Sequence, residues 1–410
     1  MRPFLAGNRI VTPWASRSRA KSCAWALPGG LLGSVILIIG LEWMCIGPEM
    51  LRIRESNDRV TSSWLAAGRA AAGPEAGAEI LCFGDSLIKL GILPRVLQDR
   101  LGCSAHNLAV LGGQAPTSYY LLRRVLEQGH RPRALIINFS PLLLAMDPRV
   151  NLEWWSMLPD GCERLGLLWR ARDPALTTSM TVQSLIASWS ARDAVRSVLG
   201  LEDDRVPQGS PITTPEDARV FERNWRLNCG AQVAPRHFVP IEGALPKPYE
   251  GSHWRWRPHP AHAFYVERFL NLAAAHRIPV FWVLTPAMSS WLDRNDEVGT
   301  IGAYRQFVRD QVPRFPGLIV LDAQCAGWDR SAFRDPIHLN RDGAVRLTIA
   351  VAESIERCSD RSSAGSRWLK LDGNVDRSSN RFQDLLEDID QSRAAVSQRE
   401  SGPGTKEESR

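Results

Sequence analysis

Short apolar runs alternate with amphipathic helical patterns over most of this chain. The apolar runs cover residues 79–83, 105–110, 134–138, 279–284 and 318–321, and the helical patterns lie near residues 93–101, 118–128, 262–276, 301–311 and 341–357. Apolar strands of this length that are separated by helices are typical of a parallel sheet with both faces covered. The sequence therefore predicts an α/β fold.

The stretches around these runs set the predicted domain boundaries. We expect a basic cytoplasmic segment at 1–24, a transmembrane anchor at 25–47, a linker or short helix at 48–78, the main domain at 79–358 and a tail at 359–410. Within the main domain, residues 148–260 have several Pro and Trp residues and no regular period, which favours a large insertion or cap over the sheet. The tail is rich in Ser, Arg, Asp and Glu, so we predict that it is disordered.

Residues 25–47 are apolar over the length of about 20 residues that spans a bilayer, and Glu42 is their only charge. The segment before them contains five basic residues and no acidic one. The positive-inside rule then predicts a single-pass protein of the cell membrane with its main domain on the extracytoplasmic side. A cleaved signal peptide is one alternative. A cytoplasmic enzyme whose N-terminal segment folds back on the core is another.

Composition narrows the possible partners and metal sites. The formal net charge is +6, from 50 Lys and Arg against 44 Asp and Glu, but no basic stripe with interleaved aromatic residues is present. We therefore expect no nucleic-acid partner. The 8 cysteines are dispersed and form no C-x-x-C pair, which argues against zinc-ribbon and thioredoxin-like folds. The oligomeric state is left open.

A candidate nucleophile follows the first apolar run, in "ILCFGDSLIKLG" at residues 80–91. Gly84 permits a tight turn between the strand and the next helix, which exposes Ser86 at the carboxyl edge of the sheet, where ligands bind in open α/β folds. Asp and Ser are also common wherever a helix begins. A serine hydroxyl is a poor nucleophile until a base removes its proton, so the chain must also supply a base.

A candidate base lies near the other end of the sheet-forming region, in "FRDPIHLNRDG" at residues 333–343. Asp335 and His338 are three residues apart, just before a helix. This spacing can place the carboxylate beside the imidazole, where it fixes the tautomer and stabilises the imidazolium. Asn340 has a position typical of a helix cap. The alternative is a surface pair of loop residues with no chemical role.

Three stretches resemble the SGNH, or GDSL, hydrolase superfamily. "FGDSL" at 83–87 and "DPIHLN" at 335–340 with Gly343 resemble its first and last blocks, and "HNLAVLGG" at 106–113 resembles its second. The resemblance implies a flavodoxin-like three-layer α/β/α sandwich with a parallel sheet. It also implies the hydrolysis or transfer of acyl esters without a metal or an organic cofactor.

The resemblance also implies roles for particular residues. Ser86 corresponds to the nucleophile, His338 to the base and Asp335 to the acid that orients it. The amides of Ser86 and Gly112 correspond to two donors of the oxyanion hole, each of which can be worth roughly 3 kcal/mol in the transition state.

The third block of the family is where this chain departs. The family has Gly-x-Asn-Asp after a strand, whereas residues 138–141 read "NFSP". In strict register Ser140 replaces the asparagine, and a two-residue slip lets Asn138 serve as the third donor instead. The departure is compatible with a divergent branch, including membrane-anchored relatives that acetylate or deacetylate extracellular polysaccharides.

Two further groups of residues invite functional interpretations. Trp254 and Trp256 alternate with arginines and form a candidate platform for sugar rings, although a structural loop is the simpler explanation. His253, His259 and His262 lack a fixed i, i+4 pair, so we predict no metal site there. Three residues of "FERNWRLNCG", Asn224, Trp225 and Asn228, either line a site or pack.

The sequence as a whole predicts a serine-dependent acyl ester hydrolase or O-acyltransferase, with acetyl as the expected acyl group. Its expected substrate is an acylated glycan or lipid outside the cytoplasm. The alternative is a catalytically inactive SGNH-like protein that binds a polysaccharide or organises an envelope assembly.

Overall fold

The computed structural model describes most of the chain, with gaps. The described residues are 29–45, 59–151, 165–166, 169, 173–185, 215–238, 255–324, 328–360, 367–371, 381–382 and 384–401. The basic segment at 1–24 and Trp254 lie outside these ranges, as does much of the predicted insertion.

Six parallel strands form one sheet in the order β2-β1-β3-β4-β5-β6. The strands are β1 (Ile80–Phe83), β2 (Ala105–Asn107), β3 (Ala134–Ile137), β4 (Val280–Leu284), β5 (Leu318–Asp322) and β6 (Trp368–Lys370). The first five strands confirm the five predicted apolar runs, and their order is that of flavodoxin-type doubly wound sheets. β6 was not predicted.

Helices connect and cover these strands. They are α1 (Gly29–Cys45), α2 (Arg59–Ala70), α3 (Ser86–Gly91), α4 (Pro94–Leu101), α5 (Ala115–Glu127), α6 (Pro141–Ala145), α7 (Pro174–Leu185), α8 (Pro215–Leu227), α9 (Pro260–Ala275), α10 (Ser289–Glu297), α11 (Thr300–Gln311), α12 (Arg341–Asp360) and α13 (Ile389–Ser401). Short 3₁₀ turns lie at Pro74–Gly77, Pro148–Asn151 and Arg330–Ala332. The five predicted helical patterns correspond to α4, α5, α9, α11 and α12.

The sheet separates two hydrophobic cores. Leu81 and Phe83 of β1 belong to the core that α5 and α9 cover, whereas Ile80 and Cys82 belong to the core that α4 and α12 cover. Successive side chains of a strand point to opposite faces, so a strand that is apolar throughout feeds both cores. The arrangement is an α/β fold compatible with a three-layer sandwich.

The prediction of a disordered tail at 359–410 is wrong for much of that segment. Residues 368–370 extend the sheet as β6, and α13 packs against α8. Five apolar side chains of the segment are buried: Leu371, Phe382, Leu386, Ile389 and Val396. Few apolar residues suffice here because the rest of the molecule supplies the surface against which they pack.

The segment before the domain contains a helix, which is one of its two predicted alternatives, and the predicted cap contains helices as well. Residues 59–70 of the predicted linker form α2, which packs on the main domain. Within the predicted insertion, α8 packs against α2 and α13. The predicted anchor at 25–47 contains the helix α1, and no helix in the described ranges combines the length and apolarity needed to cross a membrane.

Candidate active site

The turn after β1 is built around Gly84. Its φ is +141°, a conformation that L side chains rarely adopt, and a Cβ at this position would lie 2.4 Å from the Asn138 carbonyl oxygen. Only glycine lets the turn approach the end of β3 this closely. Asp85 then caps α3 by accepting a hydrogen bond from the Leu87 amide at 2.8 Å. Ser86 is thereby the first residue of α3, at the carboxyl edge of the sheet.

A continuous hydrogen-bonded chain joins the three predicted triad residues. His338 Nε2 lies 2.8 Å from Ser86 Oγ, and His338 Nδ1 lies 2.8 Å from Asp335 Oδ2. The carboxylate of Asp335 accepts the Nδ1 proton, which leaves the Nε2 lone pair facing the serine hydroxyl. Residues that are 252 positions apart in the chain thus meet in the geometry of a nucleophile, a base and an orienting acid.

The loop before α12 holds Asp335 as an anion. Its Oδ1 accepts hydrogen bonds from the amides of Ile337 at 3.1 Å and His338 at 2.9 Å. Burial alone would raise the pKa of Asp335, but the hydrogen bond and charge of His338 together with the two amides lower it overall. Asn340 fixes the end of this loop, since its side-chain oxygen accepts from the Gly343 amide at 3.0 Å.

Gly112 lies in a loop that touches the Ser86 turn. The Val110 amide donates to the Gly84 carbonyl at 3.1 Å, and a Cβ on Gly113 would lie 2.4 Å from the same oxygen. Gly112 itself has a φ of +65°. The amide of Ser86 opens α3, where helix amides have no carbonyl partner in the helix. The two predicted oxyanion donors therefore belong to neighbouring loops at one edge of the sheet.

The two candidates for the third donor differ in their surroundings. Asn138 is buried at the end of β3, and its amide nitrogen donates to Thr285 Oγ1 at 3.0 Å. Ser140 caps α6 by accepting from the Leu143 amide at 3.3 Å, and its proximity opposes the rise in the pKa of the Asp85 carboxyl. The Asn138 amide has a second proton besides the one that Thr285 Oγ1 accepts. Asn138 and Ser140 both stay candidates for the third donor.

Two buried ionisable groups beside Ser86 were not singled out in the sequence. Burial raises the pKa of Asp85 against the opposing hydrogen bonds of Ser140 and Leu87. Lys89 lies one turn after Ser86, and its ammonium donates to the carbonyls of Ala109 at 3.1 Å and Gly230 at 3.0 Å. Burial lowers the pKa of Lys89 to about 7. No sequence pattern marks Lys89, because its partners come from distant loops.

The predicted sugar platform is not supported at Trp256. Its side chain is only 6% exposed, and its indole nitrogen donates to the Pro141 carbonyl at 2.9 Å. The ring packs against Tyr304 and Phe307 in the core. Trp256 is therefore a core residue, because the chain before α9 turns its indole inward over α6.

The histidines at the start of α9 and the asparagines near the end of α8 have structural partners. His259 caps α9, and the buried His262 hydrogen-bonds the Met146 carbonyl at 3.2 Å. Among the described residues, no group of three His, Cys, Asp or Glu side chains is placed to hold a metal ion. Asn224 and Asn228 are buried and donate to the Glu387 carbonyl, which answers the open alternative in favour of packing.

Comparison with known proteins gives no assignment. No protein-family model matches this chain, and no curated protein matches it either. The resemblance to SGNH hydrolases thus depends on the short motifs in the sequence and on the contacts described above.

Proposed function

We propose that this chain is a divergent SGNH-like enzyme that hydrolyses or transfers an acyl group through an acyl-enzyme on Ser86. The observation that supports this most directly is the hydrogen-bonded chain from Asp335 through His338 to Ser86, with 2.8 Å at each step. Capping alone does not account for it, because the cap of α3 is Asp85 and not Ser86. The expected substrate is an acylated glycan or lipid.

The contacts support a two-step reaction. His338 Nε2 takes the proton of Ser86 as Oγ attacks the acyl carbonyl carbon, and the imidazolium that forms is stabilised by Asp335. The amides of Ser86 and Gly112 stabilise the oxyanion of the tetrahedral intermediate. The intermediate collapses to the acyl-enzyme, and the departing alcohol takes the proton from His338. In the second step water or a sugar hydroxyl gives its proton to His338 and attacks the acyl carbon. The bond between that carbon and Ser86 Oγ then breaks, and His338 returns the proton to Oγ.

Labelling with a fluorophosphonate tests the nucleophile. We expect the purified chain to be labelled at one site, Ser86→Ala to lose the label, and the exposed-residue control Ser290→Ala to keep it. An intact, folded wild-type chain that never labels would favour the inactive SGNH-like binding protein. That alternative draws on the altered third block, in which Ser140 stands where the family has an asparagine.

The acceptor of the acyl group is a separate question. Hydrolysis and transfer share the acyl-enzyme and differ in whether water or a sugar hydroxyl attacks it. We expect acetyl release from acetylated polysaccharides, or acetyl transfer to unacetylated ones, in a form that Ser86→Ala abolishes. Comparing both assays on the same glycans decides between hydrolase and transferase.

The proposed location is the cell membrane, with the catalytic domain outside the cytoplasm. It is supported by the apolar run at 25–47 and the basic residues before it. A reporter fused after residue 60 should read as extracytoplasmic. A cytoplasmic reading would favour the enzyme whose N-terminal segment folds back on the core.

A further inference from the structure

The loop that contains Gly112, residues 110–113, has nearly all of its backbone groups fixed by hydrogen bonds. Three of its amides donate: Val110 to the Gly84 carbonyl, Leu111 to Ser63 Oγ and Gly113 to the Val110 carbonyl, each at 3.1 Å. The amide of Gly112 is the one of the four that makes no hydrogen bond to any described residue. The loop therefore presents one free donor, at the position that the sequence predicts.

Trp64 fixes the peptide unit to which that free amide belongs. Its indole nitrogen donates to the Leu111 carbonyl at 3.2 Å. The carbonyl and the amide of a trans peptide unit point in opposite directions because the unit is planar. Since Trp64 of α2 holds the Leu111 oxygen, the Gly112 N–H must point away from the indole. Ser63, the neighbour of Trp64, is fully buried and holds the Leu111 amide on the same side.

Asn151 fixes the next peptide unit from another element. Its side-chain nitrogen donates to the Gly112 carbonyl at 2.7 Å, from the 3₁₀ turn after α6. The amide of the same unit, that of Gly113, is bound to the Val110 carbonyl. Both peptide units that flank the Gly112 Cα are thus held, which sets the left-handed φ of +65° between them.

We propose that Trp64 and Asn151 are positioning residues that aim the Gly112 amide at the developing oxyanion. This inference rests on the proposed function, because it assigns a purpose to the orientation of an oxyanion donor. The two side chains come from outside the family-like motifs, and neither is close to them in sequence. Their hydrogen bonds set the direction of the donor before substrate binds, which is what electrostatic stabilisation of a transition state requires.

Steady-state kinetics of the full chain with p-nitrophenyl acetate test this role. We expect Trp64→Phe and Asn151→Asp to lower kcat by about 10- to 100-fold, because a misdirected donor costs transition-state binding. KM should change by less than about threefold, since the donor acts in the transition state and not in the ground state. The rate of fluorophosphonate labelling of Ser86 should fall in parallel. If Trp64→Phe does not fold, 3-benzothienylalanine at position 64 keeps the ring shape and lacks only the N–H.

The control removes an indole hydrogen bond at β6, the edge strand opposite β2. Trp368→Phe loses the bond from its indole nitrogen to Asp322 Oδ2, at 3.1 Å, and should keep its kcat within about twofold. Unchanged kcat in both the Trp64 and Asn151 variants, in a chain whose activity depends on Ser86, would overturn this inference alone. A wild-type chain that shows no Ser86-dependent activity would overturn the proposed function and this inference with it.

Discussion

Asp335 acts on Ser86 only through the tautomer of His338. Its carboxylate can accept the Nδ1 proton, whereas an asparagine amide placed there donates toward Nδ1 and favours the tautomer with the proton on Nε2. That tautomer cannot take the serine proton. We therefore expect Asp335→Asn to lower kcat for p-nitrophenyl acetate by about 10²- to 10⁴-fold. Thermal unfolding of the same sample checks that the chain is folded.

A neighbouring carboxylate serves as the control for Asp335→Asn. Asp329 lies in the same stretch of chain and accepts from the Ser331 amide at 2.8 Å, but it is not in contact with His338. Asp329→Asn should keep kcat within about threefold. Equal losses in the two variants would mean that the loop, and not the tautomer, determines the rate.

Lys89 makes the stability of the fold depend on pH in the alkaline range. Its pKa falls from 10.5 to about 7 because it is buried. Between these values the unfolded chain binds more protons than the folded chain, so the free energy of unfolding rises with pH. We expect the free energy of unfolding of the wild type, minus that of Lys89→Met, to rise by at most about 1.4 kcal/mol for each pH unit between pH 7 and 10. Urea denaturation at four pH values in this range measures the difference.

An exposed lysine serves as the control for the pH dependence of stability that is assigned to Lys89. Lys370 on β6 is exposed, so Lys370→Met should follow the pH slope of the wild type. If Lys89→Met also follows the wild-type slope, then Lys89 keeps its proton in the folded chain. In that case the hydrogen bonds to Ala109 and Gly230 and the Trp225 ring at 4.4 Å outweigh its burial.

Among the elements, the turn after β1 and the end of β3 depend on each other through Gly84. Gly84→Ala adds a Cβ that would lie 2.4 Å from the Asn138 carbonyl oxygen and also strains a φ of +141°. We expect the free energy of unfolding to fall by about 2 kcal/mol or more, and Ser86 labelling to slow. Gly102→Ala is the matched control, since its φ is +63° but no atom lies within 4 Å of the added Cβ. A similar loss in both variants would attribute the effect to backbone strain alone.

The strands β1, β3, β4 and β5 were predictable because each is a mostly apolar run that the two faces of the sheet bury. β6 has only three residues, Trp368 to Lys370, and its pairing with β5 is what makes it a strand. Propensity over three residues carries little information, so only the tertiary contacts define this element. The same holds for α13, whose own sequence has no clear apolar face and whose burial comes from α8.

The candidate site divides in the same way. Ser86, Asp335 and His338 lie in short motifs with fixed spacing, so the sequence predicts them. Trp64 and Asn151 contact the Gly112 loop across 47 and 39 positions of the chain, and no local pattern records such contacts. Trp256 is the reverse case: its place among arginines made it a candidate for a surface platform, and the fold buries it, in line with the simpler structural explanation.

For the whole molecule, the C-terminal segment holds together the two ends of the site. The stretch at 228–238 bridges α3 and the loop of His338. The Gln232 amide donates to the Lys89 carbonyl of α3, and the Asn340 side chain donates to the Arg236 carbonyl. The segment after residue 380 packs on this stretch, with Ile389 donating to the Val233 carbonyl at 3.1 Å. The elements that hold Ser86 and His338 are therefore joined by these backbone contacts as well as by the hydrogen bond between the two side chains.

Truncation after residue 380 tests this connection. It removes the buried side chains of Phe382, Leu386 and Ile389 and the paired hydrogen bonds between Glu387 and Arg223, at 2.7 and 2.8 Å. Each large buried apolar side chain is worth about 1.5 to 3 kcal/mol, so we expect a large fall in the thermal midpoint and loss of fluorophosphonate labelling. Truncation after residue 401 keeps all of these contacts and should keep both properties. If the shorter chain still labels at the wild-type rate, the hydrogen bond between His338 and Ser86 needs no support from the C-terminal segment.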